Sequence, residues 1–312
     1  ATTRSTFSTG GLVPTSAHLS QMLAQGGASA MLGGGLGAAA GPLLTTAGNS
    51  RDATALPPHP AVLYAFCKHL WEGRQSVMAI QTLAALVREL DASAASREEG
   101  AQSQRSAYRY GHGAQLTAHE ERVLLVKTHL RLGSWQLQQL ETTGQPVPLQ
   151  EAAHHSAAVP PPSAGETAGE RFVDLMRPVL AHFHAATSSG ETHYRAWHEW
   201  ALGNFQAAQR LHAVEGELRE EGGSPERLAQ VRAALDAYAV AAVSGFFASI
   251  RLGRQRLKAH VLQDLLRLLT LWFTHGGGGH PTVRAAVASG LTSIPTDTWL
   301  QVIPQLIARI HL

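Results

Sequence analysis

From Pro60 to Leu90 the apolar positions recur at every third or fourth residue: Val62, Tyr64–Phe66, Leu70 and Trp71, then Val77, Ile80, Leu83, Leu86, Val87 and Leu90. This spacing lines up one face of a 3.6-residue helix, so the stretch predicts an amphipathic helical pair. The period resumes at Val123, Val126, Leu130 and Gln136–Leu140, with Gly133 read as the joint between two short helices. From Phe172 the helical signal is almost continuous. The predicted elements there are Phe172–Thr187, closed by Ser188-Ser189-Gly190, and His193–Leu218, closed by Gly222-Gly223. A long helix follows, with Ser224 as N-cap, Pro225 at its first position and Glu226 in its first turn. It runs to the neighbourhood of Leu252, where Arg251, Arg254, Arg256 and Lys258 complement the negative end of a helix dipole. Leu262, Leu265, Leu266, Leu269, Trp272 and Phe273 mark a further helix, stopped by Gly276–Gly279. Val283, Val287 and Leu291 mark a short one, and Trp299, Ile303, Leu306 and Ile310 the last.

No alternation of the period-two kind interrupts this series. Successive helices with one apolar face each, and small residues such as Ala196, Ala201, Ala285 and Ala288 at the contacts, predict an all-α fold, an α-solenoid of stacked helical hairpins of the TPR or HEAT type. No single repeat length recurs, so the repeats are divergent. Three stretches break the pattern. Residues 1–58 are low in complexity, with the run Gly33-Gly34-Gly35-Leu36-Gly37; they offer little bulky surface to offset ordering entropy and are expected to be disordered, apart from a short helix at Ser16–Gln25. Residues 92–116 are polar and small, and residues 144–169 carry Pro160-Pro161-Pro162; both read as long flexible insertions in a helical-repeat domain spanning 59–312.

Composition sharpens this picture. Hydrophobic residues make up 44% of the 312, but aromatics only 6% and charged residues 15%, a mixture that favours helices packed through small side chains over a β-sandwich. The balance of 25 basic and 23 acidic residues calls for no nucleic-acid partner. The single cysteine, Cys67, excludes an intrachain disulfide framework and a multi-thiolate zinc site, and points to a reducing, cytosolic or nuclear compartment. No signal-peptide pattern opens the chain, and the apolar stretch Leu235–Ile250 is interrupted and too short for a membrane span. Both ends read as cuts through a longer protein: the chain starts at Ala1, and Leu306–Leu312 stop within a periodic pattern.

The candidate chemistry is sparse. Gly35-Leu36-Gly37-Ala38-Ala39-Ala40 lacks the preceding strand that a dinucleotide loop needs, and the loops and carboxylates of a phosphoryl-transfer site are absent. His198-Glu199 lacks the second histidine of a zinc helix, and His154/His155, His182/His184 and His193/His198 have no metal-ligand spacing. The 17 histidines are therefore read as structural or solvent-exposed. The segment His193–Phe205 (HYRAWHEWALGNF) puts Trp197, Trp200/Ala201 and Asn204 on one face with Tyr194, His198 and Phe205 beside them, which predicts a packed aromatic core. Lys68, Lys127, Arg131 and Arg177 sit singly on apolar helices; converging in one concavity, they would hold a polyanion.

His193–Phe205 resembles a signature of the target-of-rapamycin (TOR) kinases. So do Ala241–Ile250 with Leu252 (AAVSGFFASI), residues 262–273 (LQDLLRLLTLWF) and residues 297–310 (DTWLQVIPQLIARI). Residues 59–90 and 120–140 are similar to earlier helices of the same family. The resemblance implies the C-terminal part of a FAT region, a non-catalytic helical scaffold that clamps and supports a serine/threonine kinase domain in growth and nutrient signalling. On that reading Trp197, His198, Trp200, Asn204, Phe205, Trp272 and Trp299 are structural signature residues, and no catalytic or metal site is expected in this segment. ATP and magnesium belong to the kinase domain of the parent chain. The family also implies a basic pocket for inositol hexakisphosphate, with Lys68, Lys127 and Arg131 at its basic positions and Arg177 one place from a family lysine that is Pro178 here. The implied partners are that kinase domain and the subunits of TOR complexes, and the implied location is the cytoplasm, extending to the nucleus or endomembrane surfaces. Two other functions fit the same residues: an inositol-polyphosphate-binding module, and a freestanding TPR-type adaptor that binds peptides in a concave face.

Overall fold

The computed structural model describes residues 58–99, 116–149, 165–255, 258–277, 279–304 and 307, all within one compact unit. Residues 1–57, with their low-complexity run and the short helix expected at Ser16–Gln25, lie outside the described residues, as do the insertion residues 100–115 and 150–164. The described residues form helices and no strands: α1 (Pro60–Glu72), α2 (Ser76–Glu99), α3 (Ala118–Thr143), α4 (Ala168–Ser189), α5 (Tyr194–Glu220), α6 (Pro225–Gly253), α7 (Lys258–His275), α8 (Pro281–Leu291) and α9 (Thr296–Leu300).

From α1 to α7 the helices pack chiefly against their neighbours in sequence, with α5 on α6 the largest interface, whereas α8 packs more on α6 than on α7. Stacking of this order is what an α-solenoid of helical hairpins requires, because no single hairpin buries its apolar face alone. The core follows the same order. Cys67, Ile80, Leu83, Leu90, Leu132 and Trp135 close the α1–α3 layer, where the indoles of Trp71 and Trp135 stack with centroids 4.6 Å apart and planes 7° apart. Phe183 and Met176, both fully buried, hold α4 between α3 and α5. Leu235, Phe246, Ile250, Leu265 and Val283 then fill the α5–α8 core. Each such side chain contributes about 1.5–3 kcal/mol of transfer free energy. By length and composition α6 would cross a bilayer. Its apolar face is buried in this core instead, with Leu235, Ala239, Ala242, Val243 and Phe246 sealed from solvent.

The starts of the helices follow local sequence. Thr117 and Thr167 each form a capping box, their hydroxyls accepting from the backbone N–H of Glu120 and Glu170 at 3.2 Å while each glutamate accepts from the threonine N–H at 2.9 Å. Ser224 caps α6 as its sequence predicts, accepting from Arg227 N–H at 3.2 Å.

Three boundaries differ from those read in the sequence. First, α3 runs unbroken through Gly133, because that glycine is where Phe183 of α4 lies; a Cβ there would sit 2.6 Å from the ring. Second, α2 continues past residue 92 to Glu99, with Ser93 buried, and Ser96 Oγ returns its hydrogen to Ala92 O at 2.8 Å. Small residues there are helix contacts, not loop. Third, residues 145–149 are tied to the fold: buried Val147 exchanges two hydrogen bonds with the Gln136 side chain, at 2.8 and 2.9 Å. After Leu300 the chain turns at Gln301 and Val302 and is helical again at Ile303, Pro304 and Ile307, while Leu306 and Ile310 lie outside the described residues.

Candidate functional site

The four basic candidates lie on three helices. Lys68 is exposed on α1, one turn before Trp71. Arg131 lies on α3 with its guanidinium 5.9 Å from the centroid of Trp135, the ring that stacks on Trp71. The paired indoles thus join the stretches of α1 and α3 that carry Lys68 and Arg131. Lys127 is exposed one turn before Arg131, so both lie on the same face of α3. Its charge reaches His193 at the start of α5: burial holds that imidazole below its ordinary pKa, and the charges of Arg195 and Lys127 push it the same way. Arg195 is a cation of this neighbourhood that the sequence did not single out. Arg177 stands apart. It donates to Asp174 at 2.8 Å on its own helix, and its charge acts on Tyr238 of α6.

The signature residues form a second constellation. Ala201, Asn204 and Phe205 are buried, while Trp197 and Trp200 are half-buried and meet edge to face at 5.8 Å. Trp197 Nε1–H donates to Glu191 O at 2.7 Å, and Asn204 Nδ2–H donates to Trp200 O at 2.7 Å. Trp200 packs on the α3–α4 layer, and Trp272 and Trp299 pack against the α5–α8 core. Trp197 thus has its polar atom on backbone, and Trp200, Trp272 and Trp299 lie against packed helices, which is what a structural aromatic belt needs.

His198 leads to a residue the sequence reading missed. Its Nδ1 lies 2.9 and 3.0 Å from the two carboxylate oxygens of Asp264, whose side chain is wholly buried on α7. Ser249 Oγ of α6 lies 2.8 Å from Oδ2, Tyr194 Oη of α5 donates to it at 3.2 Å, and Arg267 Nη1 approaches Oδ1 at 3.3 Å. One carboxylate thereby joins α5, α6 and α7. Burial, then the neighbouring Asp264 charge, drives the Tyr194 phenol far above its ordinary range. The trio Ser249, Asp264 and His198 is not a hydrolytic triad. There the histidine stands between serine and carboxylate, whereas here the carboxylate stands between the other two and leaves Ser249 without a base. The signal for Asp264 was legible: it is an acid set among Val261, Leu265 and Leu268 on the buried face of its helix. A second ionic knot holds Glu215 of α5, which accepts from Arg219 and Arg232 at 2.8 Å. Burial raises its pKa, but the Arg232 hydrogen bond and the two guanidinium charges outweigh that and keep it low.

Among known proteins, residues 169–270 match the FAT domain. Over 265 residues the chain is 29% identical to the serine/threonine-protein kinase tor1 of Schizosaccharomyces pombe, covering 81% of this chain and 9% of that protein. It is 43% identical over 142 residues to the serine/threonine-protein kinase mTor of Drosophila melanogaster, covering 44% of this chain and 6% of that one. To the serine/threonine-protein kinase TOR of Arabidopsis thaliana it is 29% identical over 257 residues, 81% of this chain and 8% of that protein. The chain thus spans less than a tenth of the length of each of these relatives. The matched domain, residues 169–270, takes in α5, α6 and the Asp264 hub that joins them to α7. Residues 169–270 of the helical array thus match the FAT domain, and the chain is similar along most of its length to target-of-rapamycin serine/threonine kinases.

Proposed function

We propose that this scaffold clamps and supports the kinase domain of its parent chain, within TOR complexes that serve growth and nutrient signalling, in the cytoplasm and at nuclear or endomembrane surfaces. The observation that carries this reading is the α5–α6–α7 unit. Its largest interface and its fully buried carboxylate hub sit inside the matched FAT domain, so the segment is built as a stiff brace rather than as a reaction centre. Phosphotransfer, with its ATP and magnesium, belongs on this reading to the parent's kinase domain. Sequencing the transcript beyond Leu312 tests the arrangement: a reading frame entering a kinase domain is the expected result. A stop codon close behind Leu312 overturns it in favour of a freestanding TPR-type adaptor. Co-expression of that kinase domain with this chain then tests the brace itself, and two proteins that elute separately reject it.

A second reading is favoured by one observation. Lys127 from α3 and Arg195 from α5 act on the same imidazole, and Arg131 lies on the same face of α3 as Lys127. Such a set suits a densely charged anion of the inositol hexakisphosphate class, with Lys68 and Arg177 as further candidate contacts. The ligand is expected to raise the melting temperature of the purified chain, and K127E/R131E to abolish the rise. An unchanged rise in the double variant rejects this site.

A further inference from the structure

Three histidines far apart in sequence meet at the junction of α7 and α8. His275 ends α7, His280 precedes α8, and His212 comes from α5. Their rings stand edge to face in series, His212 to His275 with centroids 5.0 Å apart and interplanar angle 86°, His275 to His280 at 5.1 Å and 84°. His275, in the middle, is only 3% exposed, and its Nδ1 has no hydrogen-bond partner. Every carboxylate that faces it is engaged elsewhere. Asp236 of α6 is paired with His280 Nδ1 and accepts from Thr282 Oγ1 at 2.7 Å. Glu215 of α5 is held by Arg219 and Arg232. The site therefore suits a neutral imidazole and has no acceptor ready for a charged one. Among the described residues no three such side chains converge as a metal-holding set, so the chemistry of this cluster is that of protons.

His275, in the middle of the stack, is joined in sequence to His280 by the run Gly276–Gly279. α8 is 11 residues long, packs on α6 and α7 and seals its side of the core with Val283 and Val287.

We propose that the His212–His275–His280 stack is an acid-sensitive latch that releases α8 from the α6–α7 face when His275 takes up a proton. The sign follows from burial. Desolvation first, then the His212 and His280 charges, push His275 from its ordinary 6.5 down to about 4 in the closed fold, against smaller opposing pulls from Asp236 and Glu215. An opened, hydrated His275 regains its ordinary affinity. Below that ordinary value the open state therefore binds the proton and the closed state does not, and opening becomes easier until the closed-state value is reached. Between about pH 7.5 and about pH 5 the opening constant is expected to grow about 30-fold.

Hydrogen exchange on the purified chain, corrected for intrinsic rates, tests this. The amides of α8 are expected to lose protection about 30-fold at the lower pH while α4 and α5 hold theirs. H275F keeps an aromatic ring in the stack but binds no proton, and is expected to remove the pH dependence in α8. Wild-type protection that is equal at both pH values, or a pH dependence that survives in H275F, overturns the latch. Should H275F fail to fold, the His275 Cε1–H resonance of the wild type decides. Its titration must coincide with the loss of α8 protection, and a titration that leaves α8 unchanged rejects the proposal.

Discussion

Asp264 shows how much one side chain holds at the residue scale. Its removal strands Ser249, Tyr194, His198 and Arg267 around a buried hole, and breaking such a buried ionic cluster costs about 3–5 kcal/mol. D264A is therefore expected to lower stability by that amount in urea unfolding, with D264N losing less because it keeps the shape and part of the bonding. Gly133 makes an opposite test. Alanine is the better helix former by about 1 kcal/mol, but its Cβ would sit 2.6 Å from the Phe183 ring, and overpacking costs about 1–3 kcal/mol. G133A is expected to be destabilising on balance, and G133A/F183L to recover part of the loss. Cys67 is wholly buried, and desolvation raises its thiol to about 12. It is expected to resist iodoacetamide in mildly alkaline buffer until the chain unfolds; fast labelling of the native protein would contradict its placement. These residues also mark where reading the sequence stopped. Asp264 was visible as an acid on an apolar stripe, whereas Gly133 read as a break because its ring partner lies fifty residues away in sequence.

At the scale of elements, the helix starts were the most legible features, because a cap is a short-range contract between neighbours. Ser224, Pro225 and Glu226 act as their order predicts. S224A removes one acceptor from the first turn of α6 and is expected to cost about 1 kcal/mol in thermal unfolding. An unchanged melting temperature would mean that Arg227 anchors this turn without the cap, through the hydrogen bond it makes to Glu170 of α4 at 2.8 Å. Helix ends were harder to read. The small residues Ala92, Ser93 and Ala94 look like loop composition, yet on α2 Ser93 is buried and Ala94 packs against the core. The same holds for 145–149, where a single glutamine side chain supplies the bonds that secondary structure would otherwise give.

Across the whole molecule, the all-α class and the stacking order followed from periodicity, and the family from four short stretches. The polar connections between helices did not follow. The His212–His275–His280 stack brings together residues from three separate elements, and no spacing rule unites positions so far apart. The same is true of Lys127 and Arg195, which become neighbours only through the packing of α3 and α5 around α4. Spacing within a helix reports which side is buried; which buried groups then meet depends on the register between helices, and that is set by rings such as Phe183 and Phe246 fitting their hollows.

The two capping boxes carry a different kind of consequence. Thr117/Glu120 stands directly after residues 92–116, and Thr167/Glu170 falls at the end of residues 144–169, the two stretches whose composition reads as insertion. Each box sets the first turn of its helix from within four residues, so the phase of the apolar stripe is fixed without reference to anything upstream. Sequence ahead of the box is thereby released from having to count. Such punctuation makes the segment ahead of it a permissive site in the evolutionary sense, where length drifts under weak selection while the array behind it keeps its alignment.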